Sequence, residues 1–298
     1  MKLLFRVVFP LAVLSWSGAV RAASYVVLQD SDQNSLVRVS VDGKSVTTIA
    51  SGVPGVALAI DAAGNYIVVS ESMLSRVTPA GVVTPLAKAP EGSKWASVAV
   101  DPSGTILVAD RLRPVVWRIS PDGKSLREVG LPNADHSNMG AIPGLRRASV
   151  LAGRDGDCML LIEGWDHAIG SVARFYRIGQ DGAVAEIPLR GVRTRNPNAL
   201  VPDGSGNYLF VNEDLGGAPN TMSLMRLTMD GAVTKFTDVP FGGGQVRMTR
   251  DSQTGDIIVS QQFPGRLLSV RADGSATETL VGGSRLTYPT ALAEAPHN

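Results

Sequence analysis

The stretch from Ala99 to Val129, AVDPSGTILVADRLRPVVWRISPDGKSLREV, sets a pattern that the rest of the chain repeats. An apolar run enters DPSG (Asp101–Gly104), ILVAD follows, VVWRIS runs into PDG (Pro121–Gly123), and SLREV completes the unit. Apolar runs this short, rich in β-branched residues and bounded by Gly, Asp and Pro, are strand signals; no segment sustains a helical period. The unit therefore predicts four strands joined by tight turns.

The glycine of the turn after the third strand recurs at Gly43, Gly81, Gly123, Gly182, Gly231 and Gly274, in steps of 38, 42, 59, 49 and 43 residues. That is the spacing of propeller blades. Second-strand runs recur in step, from YVVLQD at Tyr25 through YIVVSE, ILVAD, MLLIE and LFVNE to IIVSQ at Ile257. First-strand runs precede five of them, as VALAID, ASVAVD, ASVLAG, NALVPD and QVRMTR, and the sixth comes last, as TALAEA (Thr290–Ala295). The chain thus opens with strands two to four of a blade and ends with a first strand. The expected architecture is all-β: a six-bladed β-propeller over 23–298, closed by pairing of the C-terminal strand with the N-terminal blade, which hides the sheet edges. A division into two domains would need a linker, and no Pro/Ser-rich segment interrupts the pattern.

Two sets of polar residues follow the repeat. Asp61, Asp101, Asp203 and Asp251 open the first turns and glycines close them. Calcium ligation is one use for such acids; bonding to their own turn backbone is the favoured one. The second strands end in Asp30, Glu71, Asp110, Glu163, Glu213 and Gln261, and five residues before each turn glycine stand Arg38, Arg76, Arg118, Arg177, Arg226 and Ser269. The blade that lacks the acid also lacks the arginine. This covariation predicts five structural ion pairs within blades, Asp30–Arg38, Glu71–Arg76, Asp110–Arg118, Glu163–Arg177 and Glu213–Arg226, in preference to a ring of metal-binding carboxylates.

With 298 residues, 44% of them hydrophobic, the chain can bury a large core. Its start, MKLLFRVVFPLAVLSWSGAVRAASY, reads as a signal peptide over 1–22, cut after Ala22, and predicts an exported protein, periplasmic or secreted. Pro10 and the short apolar run argue against a membrane anchor there. Cleavage would remove Lys2, Arg6 and Arg21, so the 28 basic residues less those three stand against 27 acidic ones, a net −2. A near-neutral chain without basic blocks predicts neither nucleic acid nor a membrane as partner. The single cysteine, Cys158, excludes an intramolecular disulfide and lies in the apolar run CMLLI, where a small buried hydrophobe is expected.

The segment VAVDPSGTILVADRLRPVVWRISPDG resembles the NHL repeat, an apolar strand followed by Asp-x-x-Gly, apolar-x-Asp, Arg-Ile and an Asp-Gly turn, and the other blades follow it more loosely. The resemblance implies a six-bladed propeller and spans nearly all of the chain after the leader. Neighbouring families of that architecture are the gluconolactonase/senescence-marker hydrolases, streptogramin lyase and strictosidine synthase-like proteins. NPNALVPDG (Asn196–Gly204) looks like the gluconolactonase segment with a metal-binding Asn, which would make Asn198 the counterpart and Ca or Mg the implied ion. The chain departs from that family where Gln245 replaces an expected acid, and it has no Glu-Gly-Pro segment.

Extra residues fall in two kinds of connection. They extend the link from a fourth strand to the next first strand (Gly130–Arg147) and the second-to-third links Glu163–Ser171 and Asn212–Thr221. In an up-and-down blade both kinds emerge on one face, the default binding face. His136 and His167 lie there as candidate catalytic residues, preceded by Asp135 and Asp166, with Asn138, Trp165 and Asp214 as further ligand-binding candidates; solvated loop residues are the alternative. His297 lies in the C-terminal tail. There is no GxSxG, HExxH, CxxC or glycine-rich phosphate loop. The expected activity is binding of a small molecule or protein partner through the enlarged loops of blades three to five. The alternative is a hydrolase or lyase of the gluconolactonase/streptogramin-lyase kind.

Overall fold

The computed structural model describes residues 24–30, 34–132, 147–153, 155–166, 170–191, 194, 197–213, 221–240 and 243–295, without the side chains of 147, 164–166 and 170–172. The described residues form 24 strands in six antiparallel four-stranded sheets, and the 3-10 turn Gly283–Arg285 is their one helix. The innermost strands are Pro289–Glu294, Ala57–Ile60, Trp95–Val100, Arg147–Ala152, Asn198–Pro202 and Val246–Arg250, in blades one to six. Blade one closes the ring as expected: Pro289–Glu294 pairs with Ser24–Gln29, with Tyr25 opposite Glu294 and Leu28 opposite Ala291.

The core is six layers, each between two neighbouring blades. Along Ser24–Gln29 the alternation of side chains divides Val26 and Leu28, packed towards blade two, from Tyr25 and Val27, packed towards blade six. Both faces of every sheet are covered in this way, so the second strands read as unbroken apolar runs: YIVV in blade two and ILVAD in blade three are buried throughout. Phe175 and Phe210 meet edge to face between blades four and five, with centroids 5.1 Å apart.

The recurring turn glycines have two physical reasons. Each has a positive φ, and several stand against the fourth strand of the preceding blade. A Cβ at Gly43 would lie 1.9 Å from the Leu280 carbonyl oxygen, at Gly81 2.3 Å from that of Ile49, at Gly123 2.4 Å from that of Leu86 and at Gly231 2.0 Å from that of Pro188. The glycines therefore set how closely successive wedges approach.

The five intrablade acid–arginine pairs are corrected by the strand register. Arg38 lies opposite Val26, Arg76 opposite Ile67, Arg118 opposite Leu107, Arg177 opposite Met159 and Arg226 opposite Leu209. Asp30, Glu71, Asp110, Glu163 and Glu213 lie three or four residues further along the second strand, roughly 10–13 Å away. The arginines sit at the tight-turn end, where their partners differ. Arg76 Nε and Arg226 Nε approach the first-turn acids Asp61 (3.3 Å) and Asp203 (2.9 Å), and Arg177 Nε donates to Asp157 (2.9 Å). Others tie blade to blade: Arg38 to the Tyr66 hydroxyl (2.7 Å), and Arg118 to the carbonyls of Gly156 (3.2 Å) and Gly179 (2.8 Å). The strand-two acids serve the opposite face. Asp110 accepts the N–H groups of Lys94, Leu112 and Arg113, and Glu71 pairs with Arg111 and, at 3.1 Å, with Lys94.

The first-turn aspartates bond their own turns, as expected. Asp101 Oδ1 accepts from Ser103 N at 2.8 Å and Thr105 N at 3.0 Å, and Asp61, Asp203 and Asp251 repeat the arrangement. At Asp203 and Asp251 burial pushes the carboxyl upward, but these hydrogen bonds more than offset it and hold both below the usual range.

Two substitutions test the blade contacts. Gly231→Ala meets backbone as well as a positive φ, whereas Gly206→Ala meets the φ alone, with nothing within 4 Å. In urea unfolding Gly231→Ala loses more stability than Gly206→Ala, by about 1–3 kcal/mol. Arg118→Met removes the donor to the Gly156 carbonyl and the interblade bond to the Gly179 carbonyl, which keeps only the Gly182 N–H, and lowers the unfolding free energy by about 1–3 kcal/mol.

Candidate functional site

In each blade the tight turns lie on one face, and the second-to-third and fourth-to-first connections lie on the other. On this second face the axial channel widens into a cup of about 270 Å³, lined by Val56, Glu71, Trp95, Ala96, Arg111, Ala148, Asn198, Gly244, Gln245, Arg247 and Gln262. Most of these residues stand at or just before the start of an innermost strand. Behind the cup the channel, about 340 Å³, is walled by the innermost strands, largely with Ala, Val and Leu.

Arg247 lines both spaces and forms the floor between them. Its Nη1 donates to Asn198 Oδ1 (3.3 Å) and the Val246 carbonyl (3.0 Å), and its Nη2 to the Val56 carbonyl (3.3 Å) and Gln245 Oε1 (3.2 Å). One guanidinium thus joins blades two, five and six across the axis. Sequence reasoning missed it, though a signal was present. Four residues before the first-turn aspartates stand Ala57, Ser97 and Ala199 in three blades and Arg247 in the fourth. Small residues around the axis leave the space that one long side chain fills.

Asn198 is 1% exposed and is presented by a bulge: the register slips between Asn198 and Leu200, and Ala199 is held at φ +50°. That conformation is strained for a residue with a Cβ. The Asn198 Oδ1 accepts the Ala199 N–H (2.9 Å) besides Arg247, while its Nδ2 is buried and finds no partner among the described residues. The same holds for the indole N–H of Trp95, which is 0% exposed, and for Arg111 Nε. Three of the residues that line the cup with Arg247 thus carry a buried donor without an acceptor among the described residues. A buried donor is costly unless something accepts from it.

This donor set decides what fits. The oxygen that Asn198 would offer a divalent ion already faces a guanidinium, Gln245 Oε1 faces the same guanidinium, and Gln262 Oε1 accepts the Gln245 N–H (3.0 Å). Glu71 is held by Arg111 and Lys94. The cup suits an acceptor or an anion, not Ca or Mg at Asn198. Among the described residues no group of three His, Cys, Asp or Glu is placed to hold a metal.

The other candidates fare differently. Asp135, His136, Asn138, His167 and Asp214 lie outside the described residues, as do the side chains of Trp165 and Asp166. The backbone around the last two corrects the expected loop Glu163–Ser171: Cys158–Asp166 and Gly170–Ile178 are nine-residue strands, paired as far as Asp166 opposite Gly170. Of the candidates expected to bind, only Asn198 is placed by the structure in the cup.

Compared by sequence, the chain matches no protein-family model and no curated protein. Compared by structure, it resembles a chain of a nidogen/laminin complex, at TM-score 0.67 and 12% identity over 93% of this chain and 99% of that one. It also resembles a gluconolactonase from Xanthomonas campestris, at TM-score 0.59 and 15% identity over 94% and 99%. A catalytically inactive virginiamycin B lyase from Staphylococcus aureus, solved with quinupristin, is similar at TM-score 0.56 and 18% identity over 88% and 85%. The chain is a six-bladed β-propeller. At such identities the likeness shows the fold alone, and the propeller carries proteins of unrelated activity.

Cys158 belongs to the core of this propeller. It is fully buried between blades three and four, and burial pushes its thiol up to about 12. At pH 8 a thiol reagent such as dithionitrobenzoate should leave the native protein unmodified and label one thiol per chain in denaturant; rapid labelling of the folded protein would contradict this placement.

Proposed function

We propose that this propeller is an exported binding protein for a small molecule that bears an oxyanion, held in the cup at the channel mouth. The observation that carries the reading is the pair of guanidinium groups, Arg247 and Arg111, lining one cup together with Asn198 and Trp95. An incoming carboxylate would meet these guanidinium groups as a charge-assisted acceptor. Arg247 and Arg111 against one carboxylate, Glu71, favour negative charge in the ligand. The leader-like N-terminus supports export, and the near-neutral charge supports neither nucleic acid nor a membrane as partner.

A second reading, turnover, draws on the same donors. Hydrogen-bond donors without a ground-state partner are what a developing oxyanion requires, and two of the similar structures are a gluconolactonase and a virginiamycin B lyase. Assay of gluconolactone hydrolysis with and without added Ca or Mg separates the two. Turnover that disappears in a cup variant favours the enzyme, and no turnover favours the binder.

Asn198→Asp is the informative variant for binding. It keeps the acceptor for Arg247, so the fold is retained, but it removes the Nδ2 donor and puts a negative charge in the cup. Calorimetric titration with hexanoate should show binding to the native protein and a loss of at least about thirtyfold in the variant. Hexylamine, of similar length and opposite charge, should not bind. Preference for the amine, or equal hexanoate affinity in both proteins, would overturn the reading.

A further inference from the structure

The cup is small for the ligand sites of proteins, which run to about 300–1,000 Å³, so part of a larger ligand would lie on its rim. One sector of that rim is aromatic. Phe263 and Tyr288 are each 45% exposed and meet edge to face, with centroids 5.1 Å apart and planes at 64°. Two large aromatic rings left in water side by side are unusual, because each has much apolar area to bury. Among the described residues they are the only exposed large aromatics, and they adjoin the cup through Gly244 and Gln262, which line it. A Cβ on Gly244 would stand 2.5 Å from Phe263 Cδ2, so that glycine is what lets the ring settle at the cup's edge.

Both rings are held in place by backbone. The Phe263 N–H donates to the Gly243 carbonyl (3.2 Å), and the Tyr288 carbonyl accepts the Asp30 N–H (3.0 Å). Tyr288 holds φ at +46°, a region a tyrosine adopts only at a cost, immediately before the strand that closes the ring. The strain turns an aromatic side chain out onto the surface beside Phe263 when a glycine would make the same turn freely. Such a device serves recognition better than it serves stability.

We propose that the ligand is a carboxylate carrying a flat apolar ring: the carboxylate in the cup, beside Asn198 and on Arg111 and Arg247, and the ring against Phe263 and Tyr288. The proposal rests on the cup reading above and adds the class of the ligand's body. Neither half alone is enough for tight binding, since the cup gives orientation and charge and the rim gives apolar area.

The test compares 3-phenylpropionate, hexanoate and 3-phenylpropanol by calorimetry on the full chain. Against the native protein the aryl acid should bind about tenfold more tightly than hexanoate, and the alcohol more weakly than either acid. In Phe263→Ala and in Tyr288→Gly, which takes the positive φ without strain, the preference for the aryl acid should fall to about one, the aryl acid losing more affinity than hexanoate. Asn198→Asp should lose both acids. Equal binding of the two acids to the native protein, or a preference that survives in both rim variants, overturns the aryl assignment and leaves the cup reading standing. If neither acid binds, the cup reading fails first and the aryl assignment falls with it.

Discussion

The rest of the molecule depends on each sheet being covered on both faces by its neighbours. A sheet of four short strands with apolar residues on both sides cannot be satisfied by one partner, and two partners per sheet lead to a ring. The spacing within the ring is set largely by backbone against backbone: Gly43, Gly81, Gly123 and Gly231 at the third-to-fourth turns lie against carbonyls of the blade before them, closer than any side chain permits. Arginines from the third strands then bond across to the next wedge in blades one and three, or brace the first turn in blades two and five. The result is a regular face of tight turns whose polar groups answer one another locally.

The other face is irregular, and its irregularities cluster. Among the described residues the three non-glycine residues with positive φ, Asn34, Ala199 and Tyr288, all lie at connections or strand starts on that side. One presents Asn198 to the cup and another presents an aromatic ring to its rim. Strained backbone surrounded by well-packed sheet is maintained by the scaffold, and it concentrates where chemistry is required.

The architecture was legible in the sequence because it is written redundantly. Six turn glycines, six second-strand runs and a stray first strand at Thr290–Ala295 each point to the same closed ring, and the register of Tyr25 with Glu294 agrees with it. The acid–arginine pairing was misread because covariation between positions says that two residues belong to one repeat, not that they touch. Arg118 and Asp110 are counted from turns at the same end of the hairpin, but the turn residues before Gly123 use up most of the count to Arg118, and only the register shows the gap. The cup was half legible. Asn198 stood out by resemblance, but its role follows from Arg247, whose significance lies in being the one long side chain in a column of small ones. Phe263 and Tyr288, distant in sequence, have no local signal at all.

Arg247 also gives the ring a spoke. Contacts between adjacent wedges act along the circumference, whereas this side chain links blades two, five and six through the hub. The axial space thereby carries a cationic group between the cup and the channel behind it. A guest that drew the guanidinium towards itself would loosen bonds to wedges that are not neighbours, and its arrival would be felt on opposite sides of the wheel together.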